Sequence, residues 1–440
     1  MGIGKSFRRS SHSTPDYRSL RRSQSKLTYG CLLEDGRVVD VVIGPDEQTR
    51  LCVNDGRHES VVTSLTVGRR LFKPAKIAAA IRLPEAPMDY ESLEGLFSRV
   101  KGALLESGIP ESVAVPSTFW LFASLFSDVL LSAPTLLITG PAIEGGLLLD
   151  LLACFARRPL RLAGFSPGTL SALPMEIGPT LLIEAGELDR ACWEVLRHTA
   201  HRGAFVPRAG ELRNVFSAKA LSCGAFTNLA QMPEALHVSL PPIVDHFPGL
   251  NTDRAEALFR EFQPQLLAYR LRNISQVRSS KFDLLGFSSP TRVLARLLGA
   301  PLLGNPTLEA ELLNLLEDHE RALKAAAFTD FKLIVLEAAV QRSHTDFGGR
   351  VTVGQINQTA HDILRARGDA TEHTDREVGP VLRSFGLQTK ERAEGYSLLL
   401  DPNSTKNLHR LARQVGVLNL APVGRCKYCD EIVAEQAPQK

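Results

Sequence analysis

Two glycines and an acid carry the first chemistry that the sequence suggests. Residues 134–139 read PTLLIT, an apolar run of strand length, and Gly140-Pro141-Ala142-Ile143-Glu144-Gly145-Gly146-Leu147 follows ahead of a leucine-rich helical stretch. Strand, glycine loop and helix in this order form the context in which backbone amides cradle phosphates. Gly140 and Gly145 fall in register with the template Gly, four residues, Gly, Lys, Ser or Thr. The reactive positions depart from it. Gly146 stands where a lysine would neutralise the β- and γ-phosphates, and Leu147 where a hydroxyl would hold Mg²⁺. A second apolar strand, residues 179–183, ends at Glu184, the place of the metal-binding acid, with Ala185 where a water-activating glutamate would stand. Glu144 adds a negative charge beside the phosphates, a repulsion of roughly a few kcal/mol at close range and an effective dielectric near 20. Gly140, Gly145 and Gly146 are therefore the candidate nucleotide-binding residues and Glu184 the candidate catalytic acid. Substitutions at several linked positions argue that hydrolysis has been lost. The plain alternative is a strand, turn and helix with two convenient glycines.

A competing signal, Gly164-Phe165-Ser166-Pro167-Gly168, matches the Gly-x-Ser-x-Gly nucleophile elbow. In that elbow the N–H after the serine completes the oxyanion hole, and Pro167 has none. Loss of one such donor costs about 2.7–4 kcal/mol of transition-state stabilisation. The stretch reads instead as a strand-to-helix connection, with Ser166 as N-cap and Pro167 at the first helical position.

Cys426 and Cys429 place two thiolates at metal-knuckle spacing, but a tetrahedral zinc site needs four ligands. Half a site is visible. His409 is the nearest further ligand, on a helix over 406–414, and a second subunit is another source. A free or redox-active pair is the alternative. The other five cysteines (Cys31, Cys52, Cys154, Cys192, Cys223) are isolated in apolar surroundings, which points to a reducing compartment, the cytoplasm, and against a disulfide scaffold.

The last hundred residues carry a different pattern. A helix over 327–342 precedes a second one capped by Thr352, whose Ile356, Ala360, Ile363 and Leu364 share a face. Thr374 with Glu377 is a capping box that opens a third helix through Val378, Val381, Leu382 and Phe385 to Gly386. Two short strands then flank Glu394-Gly395. Three helices and a β-ribbon make a winged helix, in which the third helix enters the major groove and the ribbon meets the backbone. The candidate DNA-binding residues are Arg376 and Arg383 on the helix with Lys390 and Arg392 on the ribbon; arginine on a guanine edge is worth about 1–3 kcal/mol of discrimination. Pro380 should kink the third helix. Asp375, Glu377, Glu391 and Glu394 dilute the basic face, so docking to a protein partner is the second reading.

The elements that must position these residues follow from length and pattern. A chain of 440 residues, 44% hydrophobic and 22% charged, has enough apolar content for several cores. The net charge of +3 excludes a chain-wide polyelectrolyte, so contact with nucleic acid must be local. The first 27 residues carry seven basic side chains against Asp16 alone and have little to bury. They read as a disordered basic tail: an arm on nucleic acid, a transit peptide or a solubilising segment. Residues 28–88 alternate in short runs around turns such as Asn54-Asp55-Gly56, a β-rich unit. Helices and apolar strands alternate over 89–248, the mark of an α/β layer with a parallel sheet. Residues 249–327 are nearly all helix and suit a lid. The winged helix takes 328–402, and a helix with the cysteine tail takes 403–440. Residues 114–143 hold a single charge, Asp128, leaving uncharged runs of 14 and 15 residues. Both fall short of the roughly 20 that span a bilayer, so a buried helix and strand are expected there and no membrane contact.

Taken along the chain, Trp120, Leu136-Leu137-Ile138-Thr139-Gly140-Pro141, Arg157-Arg158-Pro159-Leu160, Gly164-Phe165-Ser166 and Thr180-Leu181-Leu182-Ile183-Glu184 together resemble the P-loop ATPase module of plasmid- and phage-type primase-helicases. The resemblance covers about residues 90 to 425. It implies an α/β fold with a P-loop NTPase-like parallel sheet, a helical lid and a C-terminal winged helix. It also implies ATP as cofactor, DNA as partner and assembly as a homo-oligomeric ring. Only Gly140, Gly145 and, loosely, Glu184 match the family's nucleotide positions; Arg202, Arg208 and Arg213 cluster where an arginine finger would be sought. The implication is a bacterial, cytoplasmic pseudo-ATPase of replication or mobile elements that keeps the fold for assembly or DNA binding. An active ATPase with an unusual phosphate loop and a regulatory protein-interaction subunit are the alternatives.

Overall fold

The computed structural model describes residues 25–429, apart from 69, 76–80, 165, 167, 169, 171–172, 187–189, 209–210, 224–231, 243–249, 328–329, 346–349, 370, 393–394, 416 and 418–425. Of the basic tail, only residues 25–27 are described; the rest, and any arm on nucleic acid, lie outside the described residues.

The chain opens on seven strands: β1 (Ser25–Thr28), β2 (Gly30–Leu32), β3 (Val38–Ile43), β4 (Thr49–Asn54), β5 (Glu59–Val62), β6 (Leu65–Val67) and β7 (Arg70–Pro74). β2-β3-β4-β5 form an antiparallel sheet, and β1-β7-β6 a smaller one in which β1 and β7 run parallel. The turn between β4 and β5 needs Gly56 at φ +89°, a left-handed value that a side chain resists. Alternation along β3 sends Val39 and Val41 into a small core with Leu51, Val53 and Phe72. Val38 and Val42 face the main core of the chain instead.

Next come α1 (Leu93–Glu106), α2 (Glu111–Ser124), β8 (Thr135–Thr139), α3 (Ala142–Phe155), β9 (Pro159–Leu162), β10 (Thr180–Gly186), α4 (Arg190–His198), β11 (Phe205–Arg208), β12 (Glu211–Asn214), β13 (Lys219–Cys223) and β14 (Leu236–Ser239). Five of the strands make a parallel sheet in the order β14-β8-β13-β10-β9. Both faces are covered, as an all-parallel sheet requires. Leu136 and Ile138 of β8 point to the main core, while Leu137 between them joins Leu181, Ile183, Leu196 and Leu221 on the opposite face. α2 is buried on every side but is only 14 residues long, and among the described residues no helix is long and apolar enough to cross a membrane.

Three further helices follow, α5 (Thr252–Arg278), α6 (Ser289–Gly299) and α7 (Pro306–Ala327). In sequence, residues 249–327 read as a lid; in the structure these helices pack into the main core. Leu258, Phe262 and Leu266 recur at helical spacing on α5 and join Phe97, Phe122, Leu149 and Phe155 in one core, with Phe155 and Phe262 ring centroids 5.2 Å apart. Such a stripe marks the face of a helix that packs on a core.

The last elements are α8 (Phe331–Thr345), β15 (Arg350–Thr352), α9 (Val353–Ala366), α10 (Asp375–Ser384), β16 (Thr389–Arg392), β17 (Gly395–Leu399) and α11 (Pro402–Gln414). They enclose a separate core of Ile334, Val335, Ala338, Ile356, Ala360, Leu364, Val378, Leu382, Leu398 and Leu408. Its sheet is antiparallel in the order β15-β17-β16. The expected kink at Pro380 does not stop α10, which runs through it to Ser384.

One buried charge network fastens the N-terminal sheet to the rest. Asp40 lies between Val38 and Val42 on the face of β3 that meets the main core. It accepts from Arg157 Nε and Arg270 Nε, each at 2.9 Å, and from Arg158. Arg270 also grips Asp128, with Nη1 to Oδ1 at 2.8 Å and Nη2 to Oδ2 at 2.5 Å. Burial alone would raise the Asp40 carboxyl, but the three guanidiniums hold it far below the usual carboxylate range.

Candidate functional site

Gly140 and Glu184 lie at the C-terminal ends of the parallel strands, where open α/β sheets bind ligands. The connection that follows β8 is short. Only Gly140 and Pro141 separate the strand from α3, which starts at Ala142. Gly145 and Gly146 are therefore helical, and the Gly145 N–H donates to Pro141 O at 3.0 Å within the helix ladder. A phosphate cradle needs those amides turned outward around a wider loop. Gly140, expected with Gly145 and Gly146 to bind nucleotide, thus stands in a two-residue turn, and the other two in the first turns of α3.

The glycines have other physical reasons. Gly140 has φ +140°, and a Cβ there would come within 2.5 Å of Leu240 O. At Gly145 a Cβ would meet Ser222 Oγ of β13 at 2.1 Å, so its bareness lets α3 sit close on the sheet. Beside Gly146, where the phosphate-binding lysine is missing, stands Arg161 of β9, its Nη2 3.7 Å from a Cβ placed there. Arg161 is already engaged: Nη2 donates to Glu184 Oε2 at 3.0 Å and Nε to Asp150 Oδ1 at 2.9 Å. Two carboxylates thus share one guanidinium at this corner of the sheet.

The arginines considered as fingers are occupied where they are described. Arg202 donates to Leu130 O at 2.7 Å and Ser127 O at 3.2 Å, and stacks over Phe216. Arg213 faces Glu176 at 3.8 Å. The Arg208 side chain lies outside the described residues. In the Gly-x-Ser-x-Gly stretch, Phe165 and Pro167 also lie outside them, and the Leu170 N–H donates to Ser166 O at 3.2 Å, the bond of a helical turn.

In the C-terminal unit the caps form as their residues dictate. Thr352 with Gln355 and Thr374 with Glu377 are both reciprocal capping boxes. The acids at the start of α10 are thereby committed. Glu377 Oε2 accepts from the Thr374 N–H at 2.7 Å, which lowers its pKa, and Asp375 Oδ1 accepts from Asn357 Nδ2 at 2.8 Å. With Val378 and Leu382 turned inward, Arg376 and Arg383 are exposed on α10. Both line a groove of ≈ 440 Å³ bounded also by Gly379, Thr389, Gly395 and Tyr396. Lys390 is exposed on β16, outside that lining, and Arg392 ends the same strand.

At the far end of this unit four side chains converge. His344 closes α8, His409 is fully buried on α11, and Cys426 and Cys429 bracket the last described turn. Their ligand atoms all lie within 4.8 Å of one another. His344 Nε2 is 2.9 Å from His409 Nε2, Cys426 Sγ 3.3 Å from His409 Nε2, and Cys429 Sγ 3.5 Å from His344 Nε2. In sequence His409 is only the nearest further ligand to the two cysteines, on a helix of its own; no local spacing links His344 to them.

Sheet, layers and cores define a mixed α/β protein with a five-stranded parallel sheet and a separate helix-and-ribbon unit at its C-terminal end. No protein-family model matches the sequence, and no curated protein matches it. Among solved structures the chain is similar to the apo C-terminal region of NrS-1, with 8% identity and a TM-score of 0.35, covering 82% of this chain and 97% of that one. It is also similar to the Drosophila ORC bound to DNA (11% identity, TM-score 0.19, 77% and 96% covered). A third is Cdc6p from Pyrobaculum aerophilum (9% identity, TM-score 0.17, 75% and 95% covered). These likenesses are too distant to carry an activity across.

Proposed function

We propose that this chain is a DNA-associated protein of replication or mobile elements, with a P-loop NTPase-like core that does not hydrolyse nucleotide and a C-terminal winged helix that contacts DNA. The observation that carries the reading is the pair Arg376 and Arg383, exposed on one helix along the groove between α10 and the ribbon. Guanidiniums along that groove suit phosphates and guanine edges, with Glu377 spent on the cap of α10 and Asp375, which also lines the groove, bonded to Asn357. The inactive core is supported by the helical Gly145 and Gly146 and by the Arg161 clamp on Glu184. ATP has no working role in this reading. Fluorescence anisotropy on labelled duplex and single strands, comparing the full chain with Arg376→Ala/Arg383→Ala, tests it. Salt-sensitive binding weakened by the double substitution is expected, and undiminished binding in the variant overturns it.

A further inference from the structure

We propose that His344, His409, Cys426 and Cys429 form a structural zinc site that pins the cysteine segment onto α8 and α11. The inference stands apart from the DNA reading. Zinc takes thiolate at ~2.3 Å and imidazole nitrogen at ~2.0–2.1 Å, so a tetrahedron of two of each has edges of roughly 3.3 Å between nitrogens and roughly 3.6 Å between nitrogen and sulfur. Three of the six edges, at 2.9, 3.3 and 3.5 Å, lie slightly inside those values, and all four ligand atoms are within 4.8 Å of one another.

The supporting shell favours ligation as well. His409 Nδ1 lies 2.8 Å from Thr405 O, and a carbonyl can only accept, so Nδ1 carries the proton. That leaves the Nε2 lone pair aimed at the cluster, the arrangement in which a backbone carbonyl orients a metal-bound imidazole. His409 belongs to the buried stripe Thr405, Leu408, His409 and Ala412 of α11, so the core holds its ring in place. Tyr428 packs alongside, 5.7 Å from the His409 ring centroid. On binding, each thiol loses its proton to solvent. Two thiolates and two neutral imidazoles then balance the dication, so the buried centre carries no net charge. With four protein ligands the centre is closed and keeps no position for water or substrate.

Metal analysis of the full-length protein, purified from zinc-supplemented medium and dialysed, should return one zinc per chain. Cys429→Ser and His344→Ala change half-buried ligands and should lower that content at least tenfold. Co²⁺ in place of zinc should give the visible bands and thiolate charge transfer of a tetrahedral site with two sulfurs, which a merely misfolded variant cannot mimic. Retention of zinc in both variants overturns the proposal, as does an octahedral cobalt spectrum. Wild-type protein without metal but with a Cys426–Cys429 disulfide, seen by mass after alkylation, overturns it equally.

Discussion

Arg161 of β9 donates to Glu184 of β10 at 3.0 Å across the corner of the sheet where a phosphate-binding lysine would otherwise work. In the proposed reading the pair ties up the cation and the acid that hydrolysis would use. Its partner Asp150 makes the arrangement a clamp between α3 and the strands.

The first expected outcome is therefore absence of turnover. Phosphate release from Mg-ATP should not exceed the blank, with or without DNA, and Glu184→Gln should leave it unchanged. Hydrolysis that Glu184→Gln abolishes would falsify the inactive reading.

DNA affinity should depend on salt through few contacts. Each phosphate contact contributes a slope of about 0.9 in log affinity against log salt. Arg376→Ala and Arg383→Ala should each reduce the slope by about one if they meet phosphates, or cost about 1–3 kcal/mol at a single base pair if they read a guanine. Anisotropy titrations at two salt concentrations, with base-pair changes in the duplex, separate the two cases.

The glycine positions give a test that ignores nucleotides. Gly145→Ala should cost about 1–3 kcal/mol in denaturant unfolding, because its Cβ would press on Ser222. Ser222→Ala in the same chain should restore part of the loss. Gly146→Ala should be neutral or stabilising by up to about 1 kcal/mol, since it lies in a helix and its Cβ would meet Arg161 Nη2 at an ordinary 3.7 Å. Equal costs at both positions would contradict a packing role.

Asp40→Asn should destabilise the fold by about 3–5 kcal/mol, because three buried guanidiniums lose their shared anion. The pH dependence has a fixed sign. The folded carboxyl titrates below its unfolded value, so its contribution is complete above about pH 4 and is lost as pH falls toward the folded value. The stability gap between wild type and Asp40→Asn should hold from pH 7 to about 5 and narrow below pH 4. A gap that opens on acidification would refute the assignment.

Local signals were readable in the sequence, and distant ones were not. Thr374 and Glu377 are three residues apart and cap one helix, so their roles need no tertiary knowledge. The apolar strands that end at Thr139 and Glu184 are likewise visible in composition. Gly145 answers to Ser222 and Gly140 to Leu240, contacts that only the folded sheet creates and that their phosphate-loop spacing does not reveal. The half-site at Cys426 and Cys429 lacked His344, which lies 85 positions before Cys429. A usable but unread clue was Asp40 itself: a lone charge in a run of valines on a face that alternation buries must have a cation waiting.

That cation arrives late. Arg270 is 230 positions after Asp40, and a ribosome adding about 5–20 residues per second needs roughly 10–50 s to supply it. Until then the strand face bearing Val38, Val42 and Asp40 has Arg157 and Arg158, 117 and 118 positions on, as its counter-charge, and lacks the part of its apolar cover that α5 supplies. The first sheet in the chain is thus completed only by a helix made long after it.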